Sequence, residues 1–429
     1  MKTHVLSELG RRTEAPPISW LMATALARPQ LISLAAGFTD NESLPVKEAR
    51  EVLEEILGSP GMGQAALQYG TTAGDPTLRR LSARHLQSLD MRGGSPEAYA
   101  PARMIITNGS QQMLYMVSEA LCDPGDIVLV EDPSYFVYLG IVQSHGVRAR
   151  GVRMERDGLD LERLETVLED LKREGELRRV KLLYIVSYYQ NPTGVTTSLQ
   201  KKAGALDLLR RYESAAGHPL YLLEDAAYRE LQFQGEVVKS ALTIRGGDDR
   251  VIYAGTYSKP FATGCRVGFG LLPEPVLSTV LRIKGNHDFG SSNILQQLLA
   301  GLLASGRYEG HLAQLRQRYA HKASIMLKAL KEHFPREVEW WEPSGGLYFW
   351  ARLPRNLKSG PKSNVFRTAL EDNVLYVPGV LCYAADPARP KPDHEMRLSF
   401  GSATEANVRA GIGRLGAVLH RFLDRGRRK

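Results

Sequence analysis

Cysteine is scarce in this chain: Cys122, Cys265 and Cys382 are the only three in 429 residues. Three scattered thiols cannot build a disulfide framework or a metal cluster of spaced pairs, so no metal is expected. They read as reduced thiols in a cytoplasmic protein. Long apolar runs are missing too. None reaches the roughly 18 residues of a membrane span, so no membrane partner is expected. The opening MKTHVLSELGRR lacks the apolar core of a secretory signal, which predicts a protein that is not exported. An acidic surplus is also lacking, since the formal net charge is +8. The last nine residues, RFLDRGRRK, carry five bases against one acid, which is half of that surplus. The remainder is nearly balanced, which predicts a frayed basic tail and no nucleic-acid partner. Neither a helix-turn-helix pattern nor a zinc spacing argues otherwise.

What remains is an ordinary globular composition, 43% hydrophobic and 24% charged. The length fits two or three domains. After residue 100, apolar runs alternate with helical patterns. ARMIIT precedes SQQMLYMVSEAL, DIVLVED precedes SYFVYLGIVQSHG, and VKLLYIVSYY precedes LQKKAGALDLLRRYESAAG. LYLLEDAAY and VIYAGTYS are two further strands. Continuous apolar strands between helices predict an α/β layer with a mostly parallel sheet covered on both faces. SPGMGQAALQYGTTAGDP (59–76) reads as a long glycine-rich loop and MRGGSPEAYAP (91–101) as a linker. From about residue 325 short strands such as GGLYFWARL and MRLSFG predict a smaller α+β unit. The expected division is a large domain over 51–324, with 1–50 and 325–429 forming the small one.

Three strands end on polar side chains. LLYIVSYYQ runs into Asn191, LYLLED ends on Asp225, and VIYAGTYS runs into Lys259. The spacing is 34 residues in both intervals, 191 to 225 to 259. The units are not self-similar, so a solenoid is excluded, and strand plus helix plus turn simply takes that length. Ligands of open parallel sheets sit outside the carboxyl ends of the strands, so the three tips should share one crevice. Each alone has a plainer explanation: a solvated lysine, a helix cap, an Asn-Pro turn. Together they are an amine, a carboxylate and an amide at one edge. Upstream, ITNGSQQML places Gly109, Ser110 and Gln111 at a helix start, where free N–H groups attract an anion. Thr256, Ser258 and Arg266 surround Lys259 in sequence, and an arginine grips phosphate with a planar fork.

The motifs LISLAAGF, ALQYGTTAGDPTLRRL, ITNGSQQML, EDPSYFVYLG, QNPTGVT, LLEDAAYREL, TYSKPFATGCRVGFG, PSGGLYFW, VPG and MRLSF span nearly the whole chain. In order and spacing the chain resembles the fold-type I, class I/II aminotransferases that use pyridoxal 5′-phosphate. It is most similar to the branch holding 2-aminoadipate and kynurenine aminotransferases. That resemblance implies a large domain with a seven-stranded, mostly parallel sheet, a small α+β domain, and an amino acid and a 2-oxo acid as substrates. It implies that Lys259 condenses with the cofactor aldehyde and moves the substrate proton, and that Asp225 pairs with the pyridine nitrogen. Tyr228 and Asn191 would bond the cofactor's phenolic oxygen, and Tyr135 would stack on its ring. Gly109, Ser110, Gln111, Thr256, Ser258 and Arg266 would hold the phosphate. Arg397 would clamp the substrate α-carboxylate with help from Asn191, beside Gly37. Tyr69 would reach a neighbouring subunit's phosphate, which implies a homodimer with shared sites.

Two departures bear on the substrate. Aminoadipate-type enzymes carry an arginine after an isoleucine near the N-terminus, whereas Ile18 is followed here by Ser19 and Trp20. A buried carboxylate without a partner is costly, so Trp20, with Tyr188 and Tyr189, predicts an apolar or aromatic side chain. The second is Ala36-Gly37, where the family usually has a glycine pair. Alternatives are an aminoadipate-preferring transaminase and a lyase on the same scaffold. A ligand-sensing transcription factor would need a winged-helix head, for which fewer than fifty preceding residues leave no expected room.

Overall fold

The computed structural model describes residues 5–427. Its strands are, in chain order, β1 (Ile32–Ser33), β2 (Met104–Thr107), β3 (Ile127–Asp132), β4 (Arg148–Glu155), β5 (Gly158–Leu159), β6 (Val180–Val186) and β7 (Tyr221–Asp225). They continue with β8 (Val251–Thr256), β9 (Gly268–Leu271), β10 (Glu339–Trp341), β11 (Tyr348–Arg352), β12 (Val374–Leu375), β13 (Val377–Pro378) and β14 (Glu395–Ser399).

The large sheet runs β2-β9-β8-β7-β6-β3-β4-β5. Strands β8, β7, β6, β3 and β4 are parallel, and β9 is antiparallel to both β2 and β8. Seven strands were expected and eight are present. The eighth, β5, is a two-residue return of β4 at the sheet edge. The central strands are buried along their whole length, as their unbroken Val, Ile and Leu content requires of a sheet covered on both faces. Helices Gly109–Leu121, Leu161–Arg173 and Leu199–Ala216 do the covering, the last ending on Gly217 in a left-handed conformation (φ 79°) that glycine adopts without strain.

A second sheet, β10-β11-β14-β13, is antiparallel, and β1 pairs with β12. The N-terminal segment is therefore tied to the C-terminal one through backbone pairing. Helix Arg307–His333 runs for 27 residues through the point where the texture of the sequence changes.

Two expectations need correction. Residues 59–76 are not one loop, because Pro60–Leu67 is a helix. Proline at its first position costs no hydrogen bond there. The basic tail is not frayed from 421. Helix Glu405–Arg427 carries it, and Arg421 pairs with Asp372 at 3.0 Å. Residues 428 and 429 of that tail lie outside the described residues. Among the described residues no helix is long and apolar enough to cross a membrane.

Candidate active site

Strands β6, β7 and β8 are neighbours in the sheet. Their carboxyl ends therefore open side by side, and the residues that follow them meet. A cavity of about 180 Å³, several times the volume of one water molecule, lies there. Ser110, Gln111, Tyr135, Asn191, Asp225, Tyr228, Thr256, Ser258, Lys259 and Arg266 all line it.

The Lys259 ammonium donates to the Gly37 carbonyl at 2.7 Å. Burial, then the charges of Arg266 and Arg397, lower its pKa from 10.5 to about 8. A sizeable neutral fraction thus exists near neutrality, as a nucleophilic amine needs. Asp225 is 3% exposed. One carboxylate oxygen accepts from the Tyr184 hydroxyl at 2.9 Å and the other from the Ala227 N–H at 3.1 Å. Burial pushes this carboxyl up to about 6, because those two bonds only partly offset the loss of water. Among the described residues it has no ion-pair partner.

Two arginines are likewise without a carboxylate among the described residues. Arg397 is 1% exposed. It donates to Asn191 Oδ1 at 2.6 Å and to the Ala35 carbonyl at 2.5 Å, and its Nε has no partner. Arg266 sits at the exposed rim and donates to Ser258 Oγ at 3.1 Å and the Thr263 carbonyl at 3.2 Å. It faces the start of helix Gly109–Leu121, whose Asn108 cap gives no side-chain bond to the first turn. Gly109, at φ 73°, leaves room for the guanidinium: a Cβ there would lie 2.6 Å from Nη2. That pairing of free N–H groups with a cation is a cradle for a phosphate.

The residues fit pyridoxal 5′-phosphate. The orphan carboxylate of Asp225 suits a protonated ring nitrogen, the Arg266 cradle suits the phosphate, and the Lys259 amine suits an aldehyde. Arg397 remains for a second anion.

Three predicted residues are not brought to the cavity. Trp20 packs edge-on against Phe366, ring centroids 5.9 Å apart, in helix Pro17–Leu26. Tyr188 lies beneath Lys202 and Arg229, 4.0 and 4.9 Å from its ring, and Tyr189 fills the space above Gly345 and Gly346. None of the three lines the cavity, whose aromatic residues are Tyr135 and Tyr228. Tyr69 is 84% exposed and its ring lies edge-on to that of Phe289, centroids 5.5 Å apart. Two residues were missed. Tyr184 holds Asp225, and Tyr348 bonds the Tyr228 hydroxyl at 3.0 Å. Tyr348 shares a sheet face with Arg397 because β11 and β14 pair Trp350 with Arg397. Only the strand register, which sequence does not announce, brings them together.

Comparison with known proteins agrees with this chemistry. The profile of class I and II aminotransferases matches residues 29–415. The chain is 33% identical over 398 residues to the 2-aminoadipate transaminase of Thermus thermophilus, covering 92% of each. It is 32% identical over 392 residues to aromatic-amino-acid aminotransferase 1 of Thermococcus litoralis, covering 91% of this chain and 88% of that one. The crystal structure of Pyrococcus horikoshii kynurenine aminotransferase, solved in complex with PMP, superposes with a TM-score of 0.88 at 30% identity over 98% of both chains. The profile match over most of its length, on a fold and a site that fit the cofactor, shows that this chain belongs to the class I and II aminotransferases of fold type I, enzymes that use pyridoxal 5′-phosphate.

Proposed function

We propose that this aminotransferase moves an amino group from an L-amino acid with an apolar or aromatic side chain to a 2-oxo acid such as 2-oxoglutarate. The observation that carries the reading is the count of unpaired cations at the cavity. Arg266 serves the cofactor phosphate and Arg397 the substrate α-carboxylate. Among the described residues Lys259 and Arg266 are the only cations lining the cavity, and Arg397 reaches it through Asn191, which leaves neither an arginine nor a lysine there for a distal carboxylate. The aromatic-amino-acid relative fits this preference, while the 2-aminoadipate relative, at similar identity, fits the alternative of an aminoadipate-preferring transaminase.

When bound, the cofactor supplies an aldehyde to take up the amino group and a ring that withdraws electrons from the substrate Cα. The chain does the rest. Arg397 lays two parallel N–H bonds on the α-carboxylate and fixes the Cα–H beside Lys259. Lys259 Nζ, neutral in part because it is buried, would take that proton from Cα and return it to the carbon on the far side of the transferred nitrogen, two bonds away. Asp225, buried and without a cation, holds the ring nitrogen in its protonated form. Tyr228 and Asn191 face the phenolic oxygen, and Tyr135 covers the ring. Tyr69, exposed on its own chain, completes the phosphate site of a second subunit, so the working unit is a homodimer.

A donor panel tests the substrate claim. L-Phenylalanine or L-leucine should give a kcat/KM at least about tenfold above L-2-aminoadipate, since an unpaired buried carboxylate costs more than 1.4 kcal/mol. The reverse order would overturn it.

A further inference from the structure

We propose that Tyr348 is a positioning residue of this site: its hydroxyl orients the Tyr228 phenol and its ring seats the Arg397 guanidinium. The inference rests on the roles given to Lys259 and Tyr228 above.

Tyr348 is 1% exposed. Its hydroxyl lies 3.0 Å from that of Tyr228, whereas Asn191 Nδ2 reaches the same oxygen only at 3.5 Å. The Tyr348 contact is thus the stronger of the two. We assign Tyr348 as the donor, because this leaves the Tyr228 proton free to face the cavity. Burial holds the Tyr228 phenol well above its ordinary pKa, so that proton stays in place. A phenol that accepts a hydrogen bond becomes a better donor through its own O–H. Tyr348 therefore strengthens the bond that Tyr228 offers to an anionic oxygen beside Lys259.

The ring has a separate task. The Arg397 guanidinium lies 4.3 Å from its centroid, with Phe136 at 5.7 Å. These contacts hold a buried cation that lacks a carboxylate, while leaving its Nε free. The hydroxyl also sets the size of residue 37. A Cβ on Gly37 would lie 2.6 Å from Tyr348 Oη but an ordinary 3.7 Å from Cζ. The Gly37 carbonyl in turn receives the Lys259 bond. One phenol thus touches Tyr228, Arg397 and the segment that receives Lys259.

Tyr348→Phe keeps the ring and removes the hydroxyl. In the holoenzyme, the pH midpoint of the visible absorption band should move upward by about half a unit, because the relay no longer favours the anionic oxygen. An unmoved midpoint would overturn the inference. A wild-type holoenzyme with no visible band at any pH would instead sink the role of Lys259, and this inference with it. A second measurement needs no cofactor. Gly37→Ala should lower the melting temperature of the apoprotein, and adding Tyr348→Phe should recover most of that loss. A double variant no more stable than Gly37→Ala alone would show that the hydroxyl does not set this packing.

Discussion

In the role proposed for it, Asp225 would be tuned for a ligand at the expense of the empty protein. Its carboxyl is pushed up to about 6 from an ordinary 3.8 by burial. A raised folded value means that the group favours folding below pH 4 and loses that contribution as the pH rises through 6. At pH 8 the empty protein carries a burial cost of about 3 kcal/mol. Asp225→Asn should therefore raise the melting temperature of the cofactor-free protein by several degrees at pH 8, by about half as much at pH 5, and by much less at pH 3. A variant less stable than wild type at pH 8 would contradict this. Lys259, Asp225 and Asn191 were legible in the sequence because each ends a run of buried strand, where a polar residue needs a reason. Tyr184 and Tyr348 were not, since a tyrosine inside an apolar strand looks like core until its hydroxyl partner is known. Trp20 is a different case: an aromatic placed by a motif packs edge-on against Phe366, a partner 346 positions away that no local signal announces.

Among the elements, one tight constraint bears directly on the site, where β9 crosses the start of helix Gly109–Leu121. A Cβ at Gly268 would lie 2.5 Å from both the Gly109 carbonyl carbon and the Ser110 nitrogen. Backbone atoms cannot step aside as a flexible side chain does. Gly268→Ala should displace the helix start, destabilise the protein by about 2 kcal/mol, and weaken cofactor binding at least about tenfold. Cofactor titration of the apoprotein checks this, and an unchanged Kd would contradict it. The alternation of strands and helices was readable because buried parallel strands are continuous apolar runs. Helix Pro60–Leu67 was not, because its two glycines imitate a loop while Gly63 and Ala66 are buried against neighbours. The β11–β14 register that builds the Arg397 side of the site has no local signature at all.

For the whole molecule, the exposed pair Tyr69 and Phe289 is the feature a lone chain does not explain. Both are large and solvent-facing, at 84% and 55%. In the homodimer proposed above they would lie on a surface that a second copy covers, with Tyr69 entering the partner's phosphate site. Mixing inactive Lys259→Ala subunits with Tyr69→Ala subunits would then rebuild one complete site in each hybrid dimer. Activity should rise above the sum of the two variants, toward about a quarter of wild type for random pairing. No rise on mixing, with exchange of subunits shown by mass, would place Tyr69 outside the site.

The account turns on one amine. The most direct measurement is a single turnover: holoenzyme and an L-amino acid, without any 2-oxo acid acceptor, with 2-oxo acid product counted per subunit. Wild type should release close to one product per site as the visible band is lost. Lys259→Ala should release it at least about a thousandfold more slowly, since the proton at Cα then has no base. Release from Lys259→Ala at the wild-type rate would contradict the account.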